Sequence, residues 1–396
     1  MAEALKRRIG VGLLTAYGVG VMVGAGIYVL VGAVAAEAGI HAPWAFLLAG
    51  VIAAPTALSY AEFSTRIPEA AGEAAYVEQG LGLPLLGLVV GLGIVAAGTI
   101  SASAVLSGGV GYLTAIVAVP EVVAIVLVGL LLAGVAIIGV LESLALAAVF
   151  TAIEVIGLLL VVWAGFSAEP SVDTVASVPF AFGGVAAAAV LAFFAFIGFE
   201  DIVNMAEEVE NPLKNMPRAI LYSLVIATSV YALVSWAAVR AVPIETLSES
   251  RQPLALVWQS SRGGEAQFLS AIAVFAALNG VLAQIVMASR VLFGLGRKHS
   301  PLAVFNRAHP KLGTPVLATL LIGAMVILGA LALPLATLAE VTSSILLSVF
   351  VIVNISLVIL KRRQPDAPFR VPMYVPVFGF LAAGAALIAN LGGVAG

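Results

Sequence analysis

Long apolar runs dominate this chain, and polar residues are confined to short stretches between them. The run from Val122 to Leu141 holds twenty residues without a charge. A membrane-spanning helix needs about 20 apolar residues, whereas barrel strands would show alternating segments of about ten. Hydropathy and length therefore predict an all-α polytopic membrane protein with about eleven transmembrane helices, near 11–35, 43–63, 81–117, 121–141, 144–166, 183–206, 217–241, 266–290, 314–334, 336–360 and 372–394.

The positions of Lys and Arg predict the orientation of these spans. If the amino terminus is cytoplasmic, fifteen of the 18 basic residues fall on the inner side, and only Arg240, Arg251 and Arg262 fall outside. Inner loops of membrane proteins are enriched in Lys and Arg. We therefore expect a multi-pass protein of the cell (plasma or inner) membrane, with a cytoplasmic amino terminus and an external carboxy terminus.

Composition supports this assignment and excludes several function classes. Hydrophobic residues make up 62% of the chain and charged residues 10%, against about 25% in soluble domains. There is no cysteine, and there are three histidines. We see no nucleophile–base pair or phosphate-binding loop, and no strand precedes Gly18-Val19-Gly20 as a dinucleotide fingerprint requires. We expect no enzyme activity, cofactor, metal ion or nucleic-acid partner.

The first span is rich in glycine at mid-membrane, at Gly18, Gly20, Gly24 and Gly26. Each glycine weakens a helix by about 1 kcal/mol relative to Ala. An unwound segment there would expose backbone groups that can hold a carboxylate at one half-helix end and a cation at the other. A close helix crossing through small residues explains the same pattern, and the sequence does not decide between the two readings.

The sixth span has a second interruption. Gly198 lies in the aromatic run Phe193 to Phe199, and Glu200 and Asp201 follow at once. Corresponding interruptions in two halves of a chain point to a transporter site built by inverted repeats. We expect one transmembrane transport domain over 1–396, with repeats at 11–166 and 183–360 and an additional helix at 372–394.

Glu154 stands near the centre of the fifth span, among apolar residues. An ionised carboxylate at that depth needs a partner or takes up a proton. It can therefore serve as a proton carrier. It can also be a neutral group that only hydrogen-bonds to a neighbouring helix.

Four stretches in order carry a resemblance to a known family. They are Gly24-Ala25-Gly26-Ile27, Tyr60-Ala61-Glu62 with Pro68 to Tyr76, Phe196 to Glu200 followed by Glu207-Glu208-Val209-Glu210-Asn211-Pro212, and Ala288 to Leu292 with Thr314-Pro315. The Glu-Glu-x-x-Asn-Pro run is the most specific of these. The chain resembles the amino acid–polyamine–organocation superfamily, with the leucine-transporter fold, and in particular the bacterial relatives of the cationic amino acid transporters.

The resemblance implies a five-plus-five inverted repeat with helices 1 and 6 unwound at mid-membrane, and alternating access. It implies that an amino acid carboxylate lies against the backbone at Gly24, Ala25 and Gly26, and that the amine faces Phe194, Ala195 and Ile197. Gating is implied for Phe194 and Phe199. The full set of implied substrate-binding residues is Val23, Gly24, Ala25, Gly26, Ile27, Phe194, Ala195, Ile197, Gly198 and Glu200.

The chain departs from the family pattern at two points. Many members have twelve spans, and we count eleven. Several proton-linked members carry a lysine in the fifth span, where this chain has Glu154. A carboxylate there reverses the charge, so Glu154 can bind a proton, complete a cation site or meet a cationic substrate.

Two functions remain open at this point. The first is secondary active transport of an amino acid, coupled to protons or by exchange. The second keeps the fold but carries an amine, a polyamine or an inorganic cation, because Glu154, Glu200 and Asp201 are acidic and no basic residue lies deep in the predicted core. The partners implied are the solute, the lipid bilayer and protons; the oligomeric state stays open.

Overall fold

The computed structural model describes residues 9–23, 25–67, 72–138, 144–171, 179–206, 209–264, 266–310 and 312–393. Within these ranges the regular structure is helical, apart from one parallel β-bridge between Ile9 and Val209. The α-helices are α1 (Val11–Val23), α2 (Ala25–Ala38), α3 (Ala42–Arg66), α4 (Gly72–Leu81), α5 (Pro84–Leu113), α6 (Glu121–Ile138), α7 (Leu144–Ser167), α8 (Phe182–Phe193), α9 (Pro212–Ala241), α10 (Ile244–Glu249), α11 (Pro253–Arg262), α12 (Gln267–Lys298), α13 (Val316–Ala332), α14 (Leu335–Arg363) and α15 (Tyr374–Gly393). Short 3₁₀ turns occupy Gly39–His41, Phe194–Phe196, Glu200–Met205 and Ser300–Phe305.

Helices occupy each of the segments that hydropathy predicts. In the described part of the chain, 9 helical stretches are long and apolar enough to cross a membrane, and Val11–Val23 and Val316–Ala332 are shorter apolar helices. On α6, Leu127, Leu130 and Leu131 are all exposed. Such a surface is unsuited to water and suits hydrocarbon. The chain is therefore a multi-pass membrane protein.

The boundaries of the third predicted span differ from those observed. Gly82 has a positive φ of 72°, which ends α4, and Pro84 then begins α5. Proline favours the first helical turn because its missing N–H would be unpaired there in any case. The span therefore starts three residues later than the predicted 81. At the other end α5 stops at Leu113 rather than at 117.

Small residues let the longest helices approach one another closely. A Cβ on Gly108 or Gly109 of α5 would collide with Val29 of α2 or Ala277 of α12. Helix α1 packs against α7 and α9, α2 packs against α8, and α3 packs against α8 and α9. Because no hydrophobic force drives helices together in lipid, such close approaches stabilise their packing.

The stretch between α9 and α12 forms two short helices, α10 and α11, instead of a separate domain. Leu247, Leu254 and Val257 are fully buried. The carbonyl oxygen of Leu247 would stand 2.6 Å from a Cβ on Gly32 of α2. These short helices therefore bury their apolar side chains against the transmembrane helices.

A buried ion cluster, which we call the Glu62 clasp, ties α3 to α14. One carboxyl oxygen of Glu62 lies 2.7 Å from Arg66 Nη2, and the other lies 2.6 Å from Lys361 Nζ. The N–H of Val371 donates to the second oxygen at 2.9 Å. The clasp thus fixes the end of α14 and the segment before α15 to the end of α3.

The Glu-Glu-x-x-Asn-Pro motif builds a second connection between distant parts of the chain. Glu207 and Glu208 lie outside the described residues. The N–H of Glu210 donates to the carbonyl of Ile9 at 2.9 Å, and Asn211 adopts a left-handed conformation (φ 47°) just before Pro212 begins α9. Asparagine tolerates this conformation better than most residues. The motif therefore ties the segment before α1 to the segment that leads into α9.

Candidate functional site

The sequence predicts two breaks, one around Gly24 and one around Gly198, and the structure describes the second of them. Helix α1 ends at Val23 and α2 begins at Ala25, while Gly24 itself lies outside the described residues. In the other span, α8 ends at Phe193, a 3₁₀ turn covers Phe194–Phe196, and Ile197 is extended (φ −59°, ψ 130°). Backbone polar groups at such breaks are released from the regular helical ladder and can bind a ligand.

Close packing accounts for two of the glycines in the first span. Gly18 and Gly20 lie inside the continuous helix α1, where a Cβ would collide with Ile202 and Thr151 respectively. These two glycines serve close helix packing.

The start of α2 faces the second break. A Cβ on Gly26 would stand 2.9 Å from the Cα atom of Ala195, closer than real Cβ contacts. The start of α2 therefore lies against the backbone of the second break. The side chains of Val23, Ile27, Phe194 and Ile197 are also buried.

Glycine is required at position 198 by both the backbone conformation and the surrounding side chains. Its φ is 122°, a region that L side chains rarely adopt, and a Cβ there would stand 2.5 Å from Cγ1 of Val21. Its N–H donates to Oε2 of Glu200 at 3.0 Å. The carboxyl group of Glu200 thus holds the peptide of the second break, and that break touches α1 as well as α2.

Tyr231, on α9, joins both breaks. Its hydroxyl oxygen lies 2.6 Å from the carbonyl oxygen of Met22 and 2.8 Å from that of Ala195. Met22 is in the last turn of α1, and Ala195 is in the 3₁₀ turn of the second break. Sequence reasoning missed this residue, because a single tyrosine in an apolar span has no local signal that separates it from packing.

Glu154 is buried on α7, with 1% of its surface exposed. The side chain of Asn279 on α12 is close enough to interact with it. Among the described residues no group reaches either carboxyl oxygen in hydrogen-bond geometry. The hydroxyl of Tyr28, on α2, donates to the backbone carbonyl of Glu154 at 2.9 Å. Thr151, one turn before Glu154 and on the same helix face, packs against Gly20. Glu154 therefore lies on the face of α7 that meets the first broken span.

Three more buried acids, Glu73, Glu200 and Asp201, interact with one another after the second break. Glu200 and Asp201 are buried, and Nε2 of Gln284 lies 3.4 Å from Oδ2 of Asp201. Glu73, on α4, interacts with both of these acids. Burial raises the pKa of Glu73 to about 7, against opposing interactions with its own backbone and with the Tyr60 hydroxyl. Across the described residues, no group of three or more His, Cys, Asp or Glu side chains could hold a metal ion.

Phe199 lies in an aromatic cluster. Its ring centroid is 5.7 Å from that of Tyr60 and 5.3 Å from that of Phe350. Phe193 packs on Phe350 as well, at 5.8 Å. Phe194 is a separate buried side chain of the 3₁₀ turn. The two aromatic residues for which gating is expected thus both lie at the second break.

The helices define a multi-pass α-helical membrane protein whose interior contains buried acids. The chain matches the family model for amino acid permeases over residues 10–393, and it belongs to that family. The resemblance to the amino acid–polyamine–organocation superfamily is confirmed. The chain is accordingly a transporter rather than an enzyme.

Individual relatives differ in the solutes for which they are named. A branched-chain amino acid permease of Bacillus subtilis is 31% identical, over 96% of this chain and 86% of the relative. A methylthioribose transporter of the same organism is 29% identical, over 86% of this chain and 78% of the relative. The cationic amino acid transporter 4 of Homo sapiens is 32% identical, over 55% of this chain and 35% of the relative.

Proposed function

We propose that this protein is a secondary active transporter that carries an amino acid by alternating access. The observation that carries the proposal is the contact between the two breaks, at Gly26 and Ala195. The start of α2 and the backbone freed at the second break meet there in the interior, which suits a mid-membrane solute site. Because the surrounding side chains are buried, a solute can enter or leave only after the helices move.

The proposed architecture is a five-plus-five inverted repeat of eleven spans. The repeats are 11–166 and 183–360, with 372–394 as an added helix. The broken spans hold corresponding places, first and sixth, which supports this division. The excess of Lys and Arg in alternate loops supports a cytoplasmic amino terminus and an external carboxy terminus.

In the proposed site, the substrate carboxylate lies against the backbone of Gly24, Ala25 and Gly26. With the helix unwound at Gly24, the amide N–H groups at the start of α2 would suit an anion, because a helix amino terminus carries partial positive charge. The ammonium group lies against the carbonyl groups near Phe194, Ala195 and Ile197. Val23, Ile27, Gly198 and Glu200 complete the site, and Phe194 and Phe199 act as gates.

The proposed coupling group is Glu154. Its two carboxyl oxygens lack hydrogen-bond partners among the described residues, and its helix face meets the first broken span. A buried carboxyl group beside a neutral amide, here that of Asn279, can gain and lose a proton as access changes. We therefore favour proton coupling, or exchange of one substrate for another with Glu154 protonated throughout.

The proposal is tested by uptake into proteoliposomes. Branched-chain and cationic amino acids are the first probes, because two relatives are named for these solutes. Uptake is measured under an imposed proton gradient, under a sodium gradient and with amino acid preloaded inside. Uptake of at least one amino acid above protein-free vesicles is expected. Absence of uptake for the whole panel under all three conditions would overturn the proposal.

A second candidate is transport of an amine, a polyamine or an inorganic cation. The buried acids Glu154, Glu200 and Asp201 favour a positively charged solute. A relative named for methylthioribose indicates that related chains also serve solutes other than amino acids. A ligand that binds the folded state raises its apparent stability. Thermal stabilisation by amines that lack a carboxylate, and not by amino acids, would establish this alternative.

A further inference from the structure

Tyr231 belongs to neither broken span, yet its hydroxyl meets the backbone of both. The distances from its oxygen to the carbonyl oxygens of Met22 and Ala195 are 2.6 and 2.8 Å. Both lie within the range of good O–H···O hydrogen bonds. The residue therefore connects the end of α1 to the second break through a single atom.

Packing fixes the position of this hydroxyl. The Tyr231 side chain is fully buried, and its ring packs on Phe46 at 5.9 Å and on Phe196 at 5.1 Å between centroids. Phe46 is on α3 and Phe196 is in the second break. Because the ring is held on two sides, the hydroxyl cannot move away from the two carbonyl groups without repacking of the core.

The hydroxyl group carries one hydrogen for two carbonyl groups. A hydrogen bond weakens steeply as its angle departs from linearity, so this hydrogen can serve one carbonyl well and the other poorly. The shorter distance favours Met22, and the carbonyl of Ala195 is the one more easily released. A buried carbonyl group without a donor is unfavourable, so the pair of carbonyl groups gains from an added N–H donor.

We propose that Tyr231 is a positioning residue whose hydroxyl stands in for the substrate's ammonium group in the empty transporter. The hydroxyl donates to the pair of carbonyl groups while the site is empty. It releases one of these carbonyl groups when a primary ammonium group binds. The inference rests on the proposed function. Tyr231 also promotes release of the substrate, because its hydroxyl competes with the bound ammonium group for the carbonyl groups.

Removing the hydroxyl should therefore tighten binding and slow turnover. In Tyr231→Phe the ammonium group has no competitor for the two carbonyl groups, so the half-saturation concentration for uptake should fall about fivefold, the equivalent of about one net hydrogen bond. The maximal rate should also fall, because release leaves both carbonyl groups without a donor. A residue with only a structural role would lower stability and rate without lowering the half-saturation concentration.

Tyr112→Phe is the matched control. The Tyr112 hydroxyl is also buried and donates to a backbone carbonyl at 2.6 Å, but that carbonyl belongs to Tyr28, inside helix α2. This variant loses the same type of bond away from the breaks. It should leave the half-saturation concentration within about twofold of the wild type, since it frees no carbonyl group at a break.

The probes are L-leucine and L-arginine, each paired with its analogue that lacks the α-amine, 4-methylpentanoate or 5-guanidinopentanoate. Tighter binding in Tyr231→Phe should appear for the amino acid and not for inhibition by the analogue. If Tyr231→Phe does not fold, 3-fluorotyrosine introduced at Tyr231 decides the question. Its hydroxyl is a stronger donor, so the half-saturation concentration should rise.

The outcomes separate this inference from the proposed function. Failure of the wild type to take up either amino acid would overturn the proposed function and this inference with it. Normal wild-type uptake with an unchanged or raised half-saturation concentration in Tyr231→Phe would overturn the role of Tyr231 alone. Equal tightening of the amino acid and its desamino analogue would also overturn it, since the ammonium group would then not be the competitor.

Discussion

The backbone of Ala195 lies so close to Gly26 that the two broken spans meet without an intervening side chain. A Cβ on Gly26 would stand 2.9 Å from the Cα atom of Ala195 and 3.3 Å from its Cβ. Backbone, unlike the end of a flexible side chain, cannot easily give way. This contact brings the start of α2 within reach of any solute held at the second break.

Gly26→Ala should abolish or strongly reduce uptake, because the added methyl forces the two breaks apart. Overpacking of this kind costs about 1–3 kcal/mol, so the protein should still fold while uptake falls at least about tenfold. Gly134→Ala is the matched control, because a Cβ on this helical glycine of α6 meets nothing within 4 Å. Equal uptake by the two variants, at equal amounts of folded protein, would remove the contact from the mechanism.

Glu154→Gln should change the response of uptake to a proton gradient. Glutamine keeps the size of the side chain but cannot gain or lose a proton in the relevant range. If Glu154 carries the proton, uptake driven by the gradient should be lost while exchange without a gradient persists. Glu245→Gln, at an exposed position of α10, is the control for loss of a carboxylate. An unchanged rate and pH profile in Glu154→Gln would show that this residue is structural.

Glu62→Gln should destabilise the protein far more than the loss of an exposed ion pair. The change leaves the buried ammonium group of Lys361 without its carboxylate partner, 2.6 Å away. Breaking a buried pair on one side costs roughly 3–5 kcal/mol, against about 0–1 kcal/mol for a surface pair. Glu78→Gln is the control, because Glu78 pairs with Lys298 at 3.4 Å on the surface. Denaturant unfolding in detergent measures both, and similar losses of stability would contradict the role of the clasp.

Glu73 should make the folded protein less stable as pH rises. Burial raises its pKa from the ordinary value of 4.5 to about 7, so the folded state binds the proton more tightly than the unfolded chain does. The stability that this proton contributes is complete below pH 4.5 and is lost as pH rises towards 7. Tyr60, Tyr76, Glu200 and Asp201 interact with the same group.

Glu73→Gln isolates this contribution from the neighbouring acids. The melting temperature of the variant should decline less than that of the wild type between about pH 5 and about pH 7, because the titrating proton is gone. The difference between the two curves is the quantity to compare, since Glu200 and Asp201 remain in both. Parallel curves would show that Glu73 titrates in the folded protein as it does in the unfolded chain.

Hydropathy was sufficient to locate the helices, because a spanning helix must satisfy its own backbone and expose apolar side chains over about 20 residues. The predicted run from 121 to 141 corresponds to α6, and the predicted run from 336 to 360 lies within α14 (Leu335–Arg363). Errors arose at local turns. The third span was predicted to begin at 81, but Gly82 and Pro84 set its start by backbone conformation, which hydropathy does not report.

The candidate site was predictable only where glycine or charge departs from the apolar background. Gly26, Gly198 and Glu154 have such signals, and the structure brings them to the breaks or to the helix that faces them. Tyr231 has none. Its role depends on the approach of α9 to two other segments, with Met22 and Ala195 lying 209 and 36 residues away in sequence.

Gly18 and Gly20 show that a glycine pattern that predicts a break can instead serve helix packing. In sequence they are indistinguishable from the glycines of the break, yet both lie within the continuous helix α1. Their packing role is evident from the side chains that contact them from other segments, here Ile202 and Thr151. That information is present only in the tertiary structure.

We propose that the solute binds between the two predicted breaks. The most direct measurement is an experimental structure of the protein with an amino acid that proteoliposome assays have shown it to carry. We expect ligand density beside the contact between Gly26 and Ala195, with the carboxylate against the start of α2 and the ammonium group against the carbonyl groups of the second break. A ligand found elsewhere in the molecule, with Gly26 still in contact with Ala195, would contradict it.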